Sequence, residues 1–164
     1  MYTAVKYIDC LILLGLYLFF FLPRLKGQPK KNILLKSIYY LYLCIVFYGT
    51  LAPIVPTFDA PSINLIPFRD YFFAYGDYHR QIILNILLFM PMGFFMAWHR
   101  RKSILSTTLI CAAISFAIEV LQPWITINRV CDITDLITNT FGALLGCLLY
   151  RAFHRFLDAH NVLS

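Results

Sequence analysis

The sequence predicts an all-α fold, a polytopic membrane helical bundle of about five transmembrane helices. Three observations predict it. Hydrophobic residues make up 60% of the 164-residue chain and charged residues only 13%, too little polar surface for a soluble domain of this size. The apolar residues gather in five runs, Ile8–Leu22, Ile33–Ala52, Ile82–Trp98, Ile104–Leu121 and Ile133–Tyr150, and the last four approach the roughly 20 residues that cross a bilayer. Finally, when these runs are taken as spans, the basic residues collect on one side of the membrane.

The first run is 15 residues long, so it needs snorkelling flanks, local thinning or an earlier start to span. A cleaved signal peptide is the alternative reading. Lys6 is its only n-region charge, and the run ends in Phe-Phe-Phe-Leu-Pro-Arg without a small-residue cleavage site, which favours a span. The loop Pro23–Asn32 is short and basic and suits anionic headgroups.

Arg24, Lys26, Lys30 and Lys31 lie between runs one and two, with Lys36 at the start of run two on the same side. Arg100, Arg101 and Lys102 lie between three and four, and Arg151 and Arg155 follow run five. The other side receives Lys6, Arg69, Arg80 and Arg129. The positive-inside rule therefore puts the N-terminus outside and the C-terminus in the cytoplasm. The net charge of +6 is a topology signal and excludes a nucleic-acid partner as its explanation, because no basic-aromatic pattern accompanies it.

Pro53–Gln81 is the one long connection, and it lies outside. Pro53, Pro56, Pro61 and Pro67 exclude a regular helix over its first half. The run Ile63-Asn64-Leu65-Ile66-Pro67-Phe68 is too apolar for a solvated loop, and Phe68, Tyr71, Phe72, Phe73, Tyr75 and Tyr78 suit headgroup level. The loop is expected to lie on or dip into the outer interface, or else to be an ordinary aromatic belt. His99–Lys102 reads as a tight inner turn and Pro123–Cys131 as a short outer one, making consecutive spans antiparallel neighbours. Pro91 and Gly93 are expected to kink run three near Leu87. The five cysteines show no C-x-x-C spacing, so small packing residues are the expected role rather than redox or metal use.

The fifth run carries the most information. Asp132, Asp135, Asn139, Gly142 and Gly146 follow spacings of three and four and share one helix stripe, acidic and amide-bearing outside, glycine inside. The G-x-x-x-G pair permits close approach of another backbone, in this chain, in a partner protein or in a second copy. Asp132 and Asp135 also suit a helix N-terminus, so capping alone accounts for Asp132. Asn139 lies about 10 Å deeper, beyond the reach of capping, and needs a partner across a helix interface or in a polar cavity. Glu119 and Gln122 share a face at the outer end of run four, and Asn85 stands about one turn into run three.

Asn85, Glu119, Gln122, Arg129, Asp132, Asp135 and Asn139 are thus the candidate ligand-binding residues, with Arg129 as counter-charge to the acids. A structural cluster that fastens the helices is the competing reading. Glu119 and Asp135 are the candidate catalytic pair if the site is an enzyme acting on a phosphate- or sugar-bearing lipid. Arg129 among the acids and the absence of a nearby His argue against a Mg²⁺ or Ca²⁺ site. No metal and no cofactor is expected.

Four strings together resemble the VanZ-like family of bacterial membrane proteins: Asn64-Leu65-Ile66-Pro67-Phe68, Asn85 to Gly93, Glu119-Val120-Leu121-Gln122, and Arg129 to Gly142. The resemblance covers about Tyr39–Arg151, which makes 39–151 the family domain. It leaves 1–38 as an extra N-terminal helix with a basic loop, and 152–164 as a cytoplasmic tail. It implies a multi-pass protein of the bacterial cytoplasmic membrane in a family whose namesake is linked to teicoplanin resistance. The expectation that follows joins this to the polar cluster: an outward-facing pocket for an envelope lipid, a lipid-linked cell-wall intermediate or a lipoglycopeptide. Membrane lipids are the other expected partners, and a small structural subunit of a membrane complex is the remaining alternative.

Overall fold

A computed structural model describes residues 2–56, 60–100, 103–127 and 129–159. Helices dominate it: α1 Tyr2–Leu16, α2 Lys30–Thr50, α3 Arg69–Phe72, α4 Tyr78–Arg100, α5 Ile104–Ile125 and α6 Ile133–Ala159. Two short strands, β1 Ile63–Asn64 and β2 Cys131–Asp132, pair in parallel. Among the described residues, five stretches are long and apolar enough to cross a membrane: Tyr7–Leu25, Lys30–Thr50, Tyr78–His99, Ile104–Ile125 and Ile133–His154.

The first span is longer than its apolar run suggested. After α1 the chain continues through a π-helical turn, Tyr17–Phe21, and a 3₁₀ turn, Leu22–Leu25, that takes Pro23 near its start. The span gains Tyr7 before the run and Pro23–Leu25 after it, and Arg24 reaches back to the Phe20 carbonyl. The expected outer turn at Pro123 is also corrected, because α5 remains helical through Pro123 to Ile125. Pro91 lies inside α4. Part of the expected inner turn, at 101 and 102, lies outside the described residues, as do 57–59 in the long outer connection and the end of the tail from 160.

The chain forms two compact units. The first holds Met1–Ala60 with Gln122–Arg129. Within it Tyr17 shares a hydrogen bond with Ser37 at 2.8 Å, and the Tyr40 hydroxyl donates to the Leu13 carbonyl at 2.7 Å, fastening α1 to α2. Asp9 is buried, and its carboxylate accepts the Ile54 N–H at 3.0 Å.

The second unit holds Pro61–Leu121 with Val130–Ser164. Its central feature is the contact of α4 with α6, which run in the same direction. Gln81 and Asn85 meet Asp135 near the helix starts, and Phe94 meets Tyr150 edge-on at 5.6 Å further along. Glycine makes the approach possible. A methyl at Gly142 would overlap the Ile86 carbonyl, at Gly146 the Met90 carbonyl, and at Gly93 the Ala143 carbonyl. Within this chain the glycine stripe of α6 meets α4, and Gly93 on α4 lets the two backbones close on each other. Ala97, Cys147 and Tyr150 are buried at the far end, with Phe94, Trp98 and Ile104 packed around them. The third helix, α5, contributes the buried residues Thr107, Cys111, Ser115 and Glu119. Their four-residue spacing makes them one face, small along most of its length.

Candidate functional site

The outer end of the second unit is held by side chains from four segments. The β1–β2 pairing sets Asn64 beside Asp132, and the chain turns directly from β2 into α6. Asp132 is the residue before the helix, and one of its carboxylate oxygens accepts the Thr134 N–H at 2.7 Å, as an N-cap residue does. The other oxygen accepts from the Asn64 amide at 2.9 Å. The Asp132 backbone N–H donates to Glu119 on α5 at 3.1 Å. Glu119, 2% exposed, thus does from a neighbouring helix what the third residue of a capping box does within one.

Asp135 sits in the first turn of α6 and is 8% exposed. Its carboxylate accepts from Asn85 at 2.7 Å and from Gln81 at 3.2 Å. Those two amides stand four apart on α4, so one helix face delivers both. One turn deeper than Asp135, Asn139 is 2% exposed and donates to Ser115 of α5 at 3.0 Å. Its Oδ1 has no hydrogen-bond partner among the described residues.

Asn85, Glu119, Asp132, Asp135 and Asn139 therefore make a hydrogen-bonding network of the second unit in separate pairs, Glu119 with Asp132, Asn85 with Asp135, and Asn139 with Ser115. Gln122 and Arg129 belong to the first unit, where they cap α2. The last carbonyls of a helix lack intrahelical partners. Gln122 donates to the Thr50 carbonyl at 2.9 Å, and Arg129 donates to Gly49 at 3.2 Å. A guanidinium there also suits the negative end of the helix dipole.

Three members of the network were not singled out from the sequence. Asn64 is the polar residue inside an otherwise apolar run; its Oδ1 also accepts the Ile66 N–H at 3.2 Å, an Asx turn that orients its amide. Gln81 carries the signal of an amide four residues before Asn85. Ser115 carries no signal in isolation, since serine is common in membrane helices.

In front of the network lies a cleft lined by Phe68, Asp70, Tyr71, Tyr78, Gln81, Ile82, Asp132, Thr134 and Asp135. Its enclosed space is about 20 Å³, room for a single water-sized group. Phe68 forms its rim in a left-handed conformation, φ 56°, and its N–H donates to the Thr134 hydroxyl at 2.9 Å. A non-glycine residue there costs about 1–2 kcal/mol, and the bond to α6 helps hold it. Cys131, beside the network, has its thiol pushed up from the ordinary range, first by burial and then by the charges of Glu119 and Asp132. Among the described residues no three His, Cys, Asp or Glu side chains are grouped so as to hold a metal ion.

The family model of VanZ/LLP1 proteins matches residues 38–154. The chain belongs to the VanZ/LLP1 family. All seven candidate residues and the three added by the structure fall inside that match, whereas α1 lies outside it. Protein VanZ of Enterococcus faecium is 32% identical to this VanZ/LLP1 protein over 98 residues, 59% of this chain and 57% of the relative. The aligned stretch thus spans a little over half the relative's length. No solved structure matches the chain. Family and apolar helices together make it a bacterial membrane protein.

Proposed function

We propose that this VanZ/LLP1 protein sits in the cytoplasmic membrane and uses its outer cleft to bind the headgroup of an envelope lipid, a lipid-linked cell-wall intermediate or a lipoglycopeptide. The cleft carries the reading. It presents two carboxylates, Asp132 and Asp135, beside Phe68, Tyr71 and Tyr78. Aromatic rings beside hydrogen-bonding groups suit the mixed apolar and hydroxyl- or amine-bearing surface of a glycosylated or peptide headgroup. The small enclosed space admits one group of such a ligand, with the rest lying across the exposed loop. The resemblance to a family whose namesake is linked to teicoplanin resistance supports a contribution to that resistance, since a lipid-tailed glycopeptide would meet the protein at this level of the membrane.

The test is saturable binding of teicoplanin and of a lipid-linked cell-wall intermediate to the protein in nanodiscs, compared with Asp132→Asn/Asp135→Asn. Asparagine retains capping at 132, so the variant is expected to stay folded and lose binding. Equal binding by both proteins, or none by the wild type, would overturn the reading.

A second reading rests on how completely Asn85, Glu119 and Asp135 are engaged with one another's helices. The network then serves only to fasten α4, α5 and α6 in a small subunit that works through a protein partner. Under that reading the same variant lowers the melting temperature and partner retention together, and neither ligand binds.

A further inference from the structure

We propose that the loop between β1 and α4 is a membrane-docking element, inserted into the outer leaflet through Leu65, Ile66, Phe72 and Phe73. These side chains are among the most exposed apolar groups outside the spans, with Leu65 and Phe72 each 72% exposed. Exposed apolar surface of this density in a short loop marks an interaction site. Its geometry selects the bilayer as the occupant.

The loop is tied down at membrane level. Ile63 pairs with Cys131 and Asn64 with Asp132, so β1 lies beside the residues that lead into α6. The Phe68 N–H is held by Thr134 in the first turn of α6. From Phe68 the chain makes one helical turn, Arg69–Phe72, and folds back, with Phe73 N–H on the Arg69 carbonyl at 3.1 Å and Tyr75 N–H on the Asp70 carbonyl at 2.9 Å. A four-residue turn rises about 6 Å. The headgroup zone on each side of a bilayer is about 5–7 Å deep. The turn therefore keeps Phe72 and Phe73 within about one headgroup depth of Phe68. Exposed apolar side chains also occur on the half of α4 that follows the loop, at Ile83, Leu84 and Leu87.

Charge gives the same answer. Between Ile63 and Gly76 the only charged residues are Arg69 and Asp70, of opposite sign, so the loop has no electrostatic preference for anionic lipid and binds through apolar burial. Asp70 and Tyr71 line the cleft, so inserting their neighbours opens the cleft at headgroup height. A ligand already anchored in the leaflet would then enter sideways rather than from water. The docking itself does not depend on the ligand reading.

The test uses no ligand. Phe72→Trp and Leu65→Trp are made separately in a Trp98→Phe/Trp124→Phe background and placed in phosphatidylcholine nanodiscs with and without bromines near the top of the acyl chains. The expected result is blue-shifted emission that loses most of its intensity in brominated lipid. Emission typical of water and unaffected by bromine overturns the proposal. Blue-shifted emission insensitive to bromine also overturns it, because the patch is then covered by protein. The two variants sit on either side of Phe68, so misfolding of one leaves the other to decide.

Discussion

Asn85 on α4 donates to Asp135 on α6 at 2.7 Å, at the outer end of a helix pair whose inner contact is made by glycine. An amide-to-carboxyl hydrogen bond and a backbone-to-backbone approach thus fasten the same two helices at different depths. The first fixes their register and the second their separation.

Asp135→Ala should destabilise the protein by about 1–3 kcal/mol, since it strands the half-buried Asn85 amide, while the exposed Gln81 can turn to water. The double variant Asn85→Leu/Asp135→Leu should recover part of that loss, because no buried donor then lacks its acceptor. Thermal unfolding in nanodiscs, read by circular dichroism, measures both.

Gly146→Leu should be among the most damaging single changes in α6. Its first added carbon already overlaps the Met90 carbonyl and stands 2.8 Å from the Phe94 nitrogen, so the backbones must part. Overpacking of this kind costs about 1–3 kcal/mol or more. Gly15→Leu on α1, where nothing lies within 4 Å of an added Cβ, should leave the melting temperature nearly unchanged.

Asp132 predicts a split between two substitutions. Asp132→Ala removes the cap on α6, worth about 1 kcal/mol, together with the bond to Asn64. Asp132→Asn keeps the cap. Hydrogen exchange at Thr134 should quicken in the alanine variant and stay close to wild type in the asparagine one.

Cys131 gives a pH signature. Burial and the charges of Glu119 and Asp132 raise its thiol pKa, and the thiolate is the reactive form. Maleimide labelling of Cys131 near neutral pH should be slower than for an ordinary exposed cysteine, with the rise in rate displaced to higher pH. Glu119→Gln removes one of the charges and should shift the rise part of the way back. Site-resolved mass spectrometry reads the labelling.

Asn139 and Ser115 should behave as a coupled pair. Ser115→Ala leaves the Asn139 amide without its hydroxyl partner, at a cost of about 1–3 kcal/mol. Adding Asn139→Leu should restore much of the stability, as both polar ends are then gone. An additive double-mutant cycle would show that the two do not interact.

Most of the helical fold was legible because hydropathy and helix periodicity are local properties. The stripe from Asp132 to Gly146 could be drawn on α6 without knowing what faced it, and Asp132 already suited a cap. Pro123 and the end of the first span were misjudged at their boundaries, where proline tolerance depends on the last turns of a helix. Asn64, Gln81 and Ser115 were passed over because a lone amide or hydroxyl has no meaning until its partner is placed.

The sequence by itself determined that this is a multi-span helical membrane protein with a polar cluster at the outer ends of its later spans, because apolar run length, basic-residue distribution and residue spacing suffice for that. The tertiary structure decided which groups meet. It set the glycine stripe of α6 against α4, sent Gln122 and Arg129 to cap α2, and joined Asn64 to Asp132 across a strand pair. Each of those depends on which helix face or strand edge lies against which. Such pairings join residues far apart in the chain, and no local pattern specifies them.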